Sequence, residues 1–286
     1  MKIKKIGRLP VSAFAVAALL ITGGFAFTAT VPPGTAAPQK TGARTASSLV
    51  AYSSTTFAIP CRDPRGCPDL IVNQHVLGSA HLTTETFSAD DCVVKEGQVG
   101  GAGTRRLLIF PYQTPNLGPG SLVIGDPTDP ANSDVFEFAQ CHQHYHFKKY
   151  AAYRLWVPAD YVRFQELRAQ HPDLLSADII ASYGLNPVLG TKRGFCAVDS
   201  IPAPHFQGTR DKQTFISCGV GTIRGNQGIS VGWADEYIAK LDGQWVDVTN
   251  VADGDYILDV ETNPDRLFQE ARYDNNSASA LVKVKH

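Results

Sequence analysis

Gln244-Trp245-Val246-Asp247-Val248-Thr249 is followed by Ala252-Asp253-Gly254-Asp255 and then by Tyr256-Ile257-Leu258-Asp259-Val260. The outer runs alternate apolar and polar residues, and the middle one has turn chemistry. Period-two alternation puts one set of side chains on one face of an extended chain. The stretch therefore reads as two strands joined as a hairpin. Working outward, Arg105 to Phe110 reads as a short apolar strand closed by Pro111, Asp134 to Phe138 alternates again, and Ala278 to Lys285 reads as a final strand. The exception is Ala159 to Ala181, where Tyr161, Phe164, Leu167 and Arg168 recur at helical spacing and Pro172 separates two short helices. The expected fold is mainly β and sandwich-like, with long irregular loops and a short helical insertion.

The chain has 286 residues, 43% hydrophobic and 19% charged, with a formal net charge of −1. This is globular composition, and it argues against a strongly basic nucleic-acid binder. No acidic residue precedes Asp63, whereas Lys2, Lys4, Lys5 and Arg8 form a basic start followed by the apolar run Val11 to Phe27. Residues 1–37 read as a signal peptide, 38–60 as a flexible linker and 61–286 as the folded domain. Export implies a secreted protein with no stable membrane insertion after cleavage. The cysteines, at 61, 67, 92, 141, 196 and 218, all fall after the leader, and their even number suggests disulfides, with the pairing left open by the spacing.

The densest chemistry is Cys141-His142-Gln143-His144-Tyr145-His146, which holds three of the eight histidines. Residues two apart point to opposite sides of a helix but to the same side of a strand. On a flat strand the outer imidazoles would stand about 13 Å apart at the backbone. Ligation at about 2.0–2.1 Å then requires the strand to bend so that the outer two lean toward the central one. Three imidazoles suit copper or zinc. Cys141 points away from His142 and is better used as a disulfide that fixes the strand. His75, His81, His171, His205 and His286 are scattered and read as structural or surface residues.

The histidine motif resembles the copper-binding motif of lysyl oxidases. In the same order as in that family come Lys192-Arg193-Gly194-Phe195-Cys196, Gly228-Ile229-Ser230, Gln244 to Thr249, Gly254 to Leu258, Asn263-Pro264 and Asn275-Asn276, with Pro68-Asp69-Leu70 and Leu107 to Pro111 upstream. The resemblance implies a lysyl oxidase catalytic domain. It implies copper on His142, His144 and His146, and a lysine tyrosylquinone made from Lys192 and Tyr237. It also implies Asp235 as the catalytic base. The implied activity is oxidation of a primary amine or peptidyl lysine by O2 to an aldehyde, with release of ammonia and hydrogen peroxide.

The resemblance has gaps. The family carries a further histidine shortly after the copper motif, where this chain has Tyr150-Ala151-Ala152-Tyr153. The helical segment from Pro158 to Leu189 is longer than in animal relatives and could shape substrate access. A calcium site is implied at Asp69, Leu70, Glu270, Asn275 and Asn276, but Arg272 stands where an acidic ligand is expected, with Asp274 as a substitute. The implied disulfide is Cys141–Cys218. With Cys61–Cys67 as a local loop, that leaves Cys92 and Cys196 for each other. Two other readings compete with the oxidase: a secreted copper-binding protein without amine oxidase activity, and a zinc hydrolase.

Overall fold

The computed structural model describes residues 58–285. The signal-peptide reading and nearly all of the linker reading lie outside these residues. Ile59, at the end of the stretch read as linker, is buried, and its amide donates to the Leu267 carbonyl at 3.0 Å. Among the described residues no helix is long and apolar enough to cross a membrane.

The fold is mainly β, with its strands divided among several small antiparallel sheets. In chain order its elements are α1 (Gln74–Leu77), β1 (His81–Phe87), α2 (Cys92–Lys95), β2 (Gly103–Ile109), β3 (Tyr112–Pro115), β4 (Leu122–Gly125), β5 (Phe136–Ala139), β6 (His144–Phe147) and β7 (Ala151–Trp156). Next come α3 (Pro158–Gln170), α4 (Ser176–Ser182), β8 (Val188–Gly190), β9 (Ile201–Pro202), β10 (Gln227–Ile229), β11 (Trp233–Tyr237), β12 (Trp245–Asp247), β13 (Gly254–Thr262) and β14 (Ser277–Val284). The strand orders are β1-β2-β12, β10-β4, β3-β11-β9, β14-β13-β7-β8 and β5-β6.

The stretch 244–260 supplies two strands, but they do not form a hairpin with each other. Trp245 of β12 pairs with Ile109 of β2, whereas β13 lies between β14 and β7. The cause is local. Asp247 accepts the Thr249 amide at 3.0 Å and the Gly100 amide at 2.9 Å, and so ends β12 before the Asp-Gly turn can close.

Aromatic side chains dominate the main core. The Tyr112 ring stacks on Tyr237 at 5.8 Å between centroids and meets Tyr150, Tyr153 and Phe195 edge-on. Each such side chain contributes about 1.5–3 kcal/mol through burial. The helical insertion has its own small core, in which Trp156 of β7 stacks on Phe164 of α3 at 4.7 Å. Buried charge ties it down. Arg154 is held by Asp259 at 3.0 Å and Glu261 at 2.6 Å, and Ser176 of α4 donates to Glu261 at 2.9 Å. The two helices flank Pro172, as the sequence periodicity requires.

The disulfides are Cys61–Cys67, Cys92–Cys141 and Cys196–Cys218. The local loop is as expected. The implied Cys141–Cys218 bond, and with it Cys92–Cys196, is corrected. Cys141 precedes the turn that opens β6 and lies against α2. Cys218 is carried along the flank of β6, where the Tyr145 amide donates to the Gly219 carbonyl at 3.2 Å and Gln227 donates to the carbonyls of both Tyr145 and Cys218.

Candidate active site

Only two of the three motif histidines stand on a strand. His144 and His146 belong to β6, and His142 lies in the turn before it. The bend demanded by the sequence is located at Gln143, whose φ is 58°, in the left-handed region. The turn is held by the Gln143 amide, which donates to the Ala139 carbonyl at 2.7 Å. Pairing of β5 with β6 sets the register beyond the turn, with Ala139 opposite His144 and Phe136 opposite Phe147.

The turn makes the three imidazoles converge. His142 Nδ1 lies 3.3 Å from His146 Nε2, and His146 Nε2 lies 3.2 Å from His144 Nε2. Nitrogens about 2.0–2.1 Å from a common ion stand about 2.9–3.4 Å apart, depending on geometry. These two spacings fit a shared metal ion, all three ligand atoms lie within 4.8 Å of one another, and the donor set of three imidazoles fits copper or zinc. Among the described residues this is the one cluster of histidine, cysteine and acidic side chains with ligand geometry. Burial, reinforced by His144, His142 and Lys192, pushes the His146 pKa down to about 3, so its imidazole is neutral with a lone pair to give. The outward nitrogen of His144, Nδ1, lies 2.9 Å from the His142 carbonyl oxygen. Glu96, at the end of α2, brings a carboxylate oxygen within 3.9 Å of His142 Nε2.

The segment after β8 passes between this cluster and Tyr237. The Phe147 amide donates to the Phe195 carbonyl at 2.7 Å, which ties the segment to the histidine strand. Gly194 runs beneath the imidazoles, where a Cβ would contact His146 and His142 at 3.5–3.6 Å. On the other side the Cys196 amide donates to the Tyr237 hydroxyl at 2.9 Å. This arrangement places Lys192 Nζ 5.4 Å from the centre of the Tyr237 ring and 5.5 Å from that of Phe195. The Lys192 ammonium donates to the Asp242 carbonyl at 2.6 Å. Burial lowers its pKa to about 8, against the pull of Asp242, Asp235 and Glu96.

Asp235 is two residues before Tyr237 on β11, so both side chains leave the same face. Asp235 is buried. Its carboxyl accepts from Ser200 Oγ at 3.1 Å and lies beside the Tyr237 hydroxyl. Burial, opposed by the Tyr237 and Ser200 hydrogen bonds, pushes its pKa up to about 8. A cavity of about 620 Å³ reaches Lys192 but not Asp235, Tyr237 or the three histidines; its lining includes Lys148 and Arg193 together with Ala177, Ile180 and Leu189. The helical insertion thus forms one wall of the approach to Lys192. Tyr150 and Tyr153, which replace the family's extra histidine region, are buried in the aromatic core.

The residues of the calcium reading also meet. Glu270 accepts from Leu70 N and Asn263 at 2.8 Å and from Asn276 at 2.5 Å, and Asn275 donates to Asp69 at 2.9 Å. The side-chain oxygens of Asn275 and Asn276 are buried with no hydrogen-bond partner. Arg272 is engaged by Asp274 at 2.8 Å. Burial raises the Glu270 pKa to about 8 despite its amide donors.

Glu96, Gln98, Tyr112 and Asp242 were not singled out from the sequence. No motif marks them. For Glu96 the one available signal was its position four residues after Cys92, which becomes informative only once the partner of Cys92 is known.

Lys192 and Tyr237 thus stand together next to a segment that touches the histidine cluster, on a mainly β frame. The sequence model for Lysyl oxidase matches residues 170–286. Lysyl oxidase homolog 1 of Homo sapiens is 27% identical over 263 residues, covering 86% of this chain and 37% of that protein. Protein-lysine 6-oxidase of Rattus norvegicus is 28% identical over 234 residues, covering 76% of this chain and 46% of that protein. Lysyl oxidase homolog 4 of Mus musculus is 30% identical over 225 residues, covering 76% and 25%. The chain spans well under two thirds of the length of these relatives. These similarities support assignment of the chain to the lysyl oxidase family.

Proposed function

We propose that this protein is a secreted, copper-dependent amine oxidase that oxidises a primary amine, free or as peptidyl lysine, with a quinone built from its own Lys192 and Tyr237. The observation that carries the proposal is the position of Lys192 Nζ, 5.4 Å from the Tyr237 ring centre, on a segment that also lies against the His142 and His146 imidazoles.

His142, His144 and His146 would hold copper, and the quinone would supply an electrophilic carbonyl and an electron sink for the amine. The chain's own groups do the rest. Burial favours the neutral form of Lys192, whose lone pair is what a bond to the ring requires. The Cys196 amide holds the Tyr237 oxygen in place. Asp235, ionised, would take the proton from the substrate α-carbon, and its raised pKa suits a base near neutral pH. The balance is amine plus O2 plus water, giving aldehyde, ammonia and hydrogen peroxide. Asp69, Leu70, Glu270, Asn275 and Asn276 are proposed to hold calcium. The two unpartnered Asn oxygens support this, and ion entry would require Glu270 to ionise and exchange its amide donors for the ion.

The test is hydrogen peroxide release from a panel of primary amines by the copper-loaded protein. Release that is stoichiometric with aldehyde supports the proposal. A copper-loaded protein that releases none from any amine, including a lysine-containing peptide, overturns it.

A further inference from the structure

We infer that Glu96 is a positioning residue of the metal centre, accepting the Nε2–H of His142 and committing that imidazole to ligation through Nδ1. The inference rests on the reading of His142, His144 and His146 as copper ligands.

Tautomer chemistry comes first. A neutral imidazole has one N–H and one lone pair. His142 turns Nδ1 toward the other two imidazoles, 3.3 Å from His146 Nε2. If Nδ1 gives its lone pair to a metal, Nε2 must carry the proton. That nitrogen is buried and has no hydrogen-bond partner. A buried N–H without an acceptor costs about 1–3 kcal/mol, which would weigh against this mode of ligation.

Glu96 supplies the acceptor. Its Oε2 lies 3.9 Å from His142 Nε2, and among the described residues it is the one acid within 4.0 Å of any of the three imidazoles. A shift of about 1 Å closes this to hydrogen-bond length. Two devices aim the carboxylate. Gln98 Nε2 donates to the same oxygen at 2.5 Å. Glu96 also caps α2, four residues after Cys92, with its amide bonded to the Cys92 carbonyl at 2.8 Å. Residues four apart on a helical turn share a face. Cys92 is bonded to Cys141, the residue before His142. One turn of helix is therefore docked on the ligand segment at two successive points, Cys92 on Cys141 and Glu96 on His142. His144 has its own outward partner in the His142 carbonyl, so Glu96 completes the same arrangement for His142. Carboxylates placed this way fix ring orientation and raise ligand basicity.

The experiment compares Glu96→Ala, Glu96→Gln and His144→Ala with the unaltered protein. Copper(II) affinity is measured by competition with a chelator, the bound ion by electron paramagnetic resonance, and the metal-free fold by melting temperature. Glu96→Ala is expected to weaken copper about 10–100-fold and to alter the resonance spectrum while the metal-free melting temperature stays near that of the unaltered protein. Glu96→Gln keeps an oxygen acceptor without the charge and should fall between the two. Glu96→Ala that binds copper as tightly as the unaltered protein, with the same spectrum, overturns the inference. If Glu96→Ala does not fold without metal, Glu96→Gln decides by the same two measurements. If His144→Ala keeps full copper, the ligand assignment itself fails. If His144→Ala loses copper while both Glu96 variants bind normally, only the role of Glu96 falls.

Discussion

The main-chain amide of Cys196 donates to the hydroxyl oxygen of Tyr237 at 2.9 Å, across the ring stack that joins Tyr237 to Tyr112. The ring therefore cannot rotate out of reach of Lys192 without leaving a buried amide unpaired. Tyr237→Phe tests both consequences. It should bind copper stoichiometrically, release no peroxide from any amine, and lower stability by about 1–3 kcal/mol through the unpaired amide. Metal analysis, a peroxide assay and denaturant unfolding read the three effects, and retained amine oxidation would refute the cofactor assignment.

Covalent joining is the direct chemical expectation. After aerobic copper loading, a digest analysed by mass spectrometry should yield the peptides of Lys192 and Tyr237 as one crosslinked species. Lys192→Ala should bind copper and give unlinked peptides. Amine oxidation by protein in which the two peptides are always recovered separately would remove the quinone from the proposal.

Metal removal should be visible in stability. Free ion at about 100 times the dissociation constant adds about 2.7 kcal/mol to the folded state, so chelation should lower the melting temperature. In His144→Ala the melting temperature should be indifferent to copper. An equal response of the variant and the unaltered protein would show that stabilisation does not come through these imidazoles.

Asp235 makes a signed pH prediction. Its pKa is raised to about 8 in the fold from an ordinary value of 3.8, with burial as the first cause. The folded state then holds a proton that the unfolded chain has released. The associated stability is fully present below pH about 4 and is lost as pH rises toward 8. Asp235→Asn should flatten this decline and be less destabilised at pH 8 than at pH 5, relative to the unaltered protein. Unfolding at a series of pH values measures it. A parallel decline in the variant would mean that other groups, Glu270 among them, carry the effect.

The pairing Cys92–Cys141 should be recovered by non-reducing peptide mapping, together with Cys196–Cys218. In the chain-entropy model a bond closing a loop of 49 residues constrains the unfolded chain by about 4 kcal/mol. Replacing both Cys92 and Cys141 by Ser should lower stability on that scale and weaken copper binding, because the turn bearing His142 loses its anchor. Recovery of a Cys141–Cys218 peptide would contradict this.

Local rules account for the parts of the fold that were legible in the sequence. Alternation at 134–138 and 278–285 identified strands, because a strand's two faces are written in adjacent residues. Pro172 between two helical patterns was equally local. The clustering of His142, His144 and His146 pointed to metal ligation, and the reach of an imidazole required a bend, though not at which residue. The hairpin at 244–260 was misread because Asp247 spends its carboxylate on Thr249 and Gly100, one near and one distant in the chain. Lys192, Tyr237 and Asp235 carry no pattern of their own and were named only by resemblance. Glu96 escaped because its role depends on a disulfide, and cysteine spacing does not reveal partners.

Gln143 has a consequence for how portable this site is. Three alternating histidines on an extended chain form a comb, and a comb closes on an ion only by deforming when the ion arrives. In this protein the deformation is already built into the folded backbone at a single left-handed residue. The cost, about 1–2 kcal/mol for a side-chain-bearing residue in that region, is carried by folding and not by the encounter with the metal. The six-residue motif is therefore not a self-sufficient cassette. Grafted into a straight strand of another protein it would supply the same imidazoles as a row, and a row of that length holds no single ion.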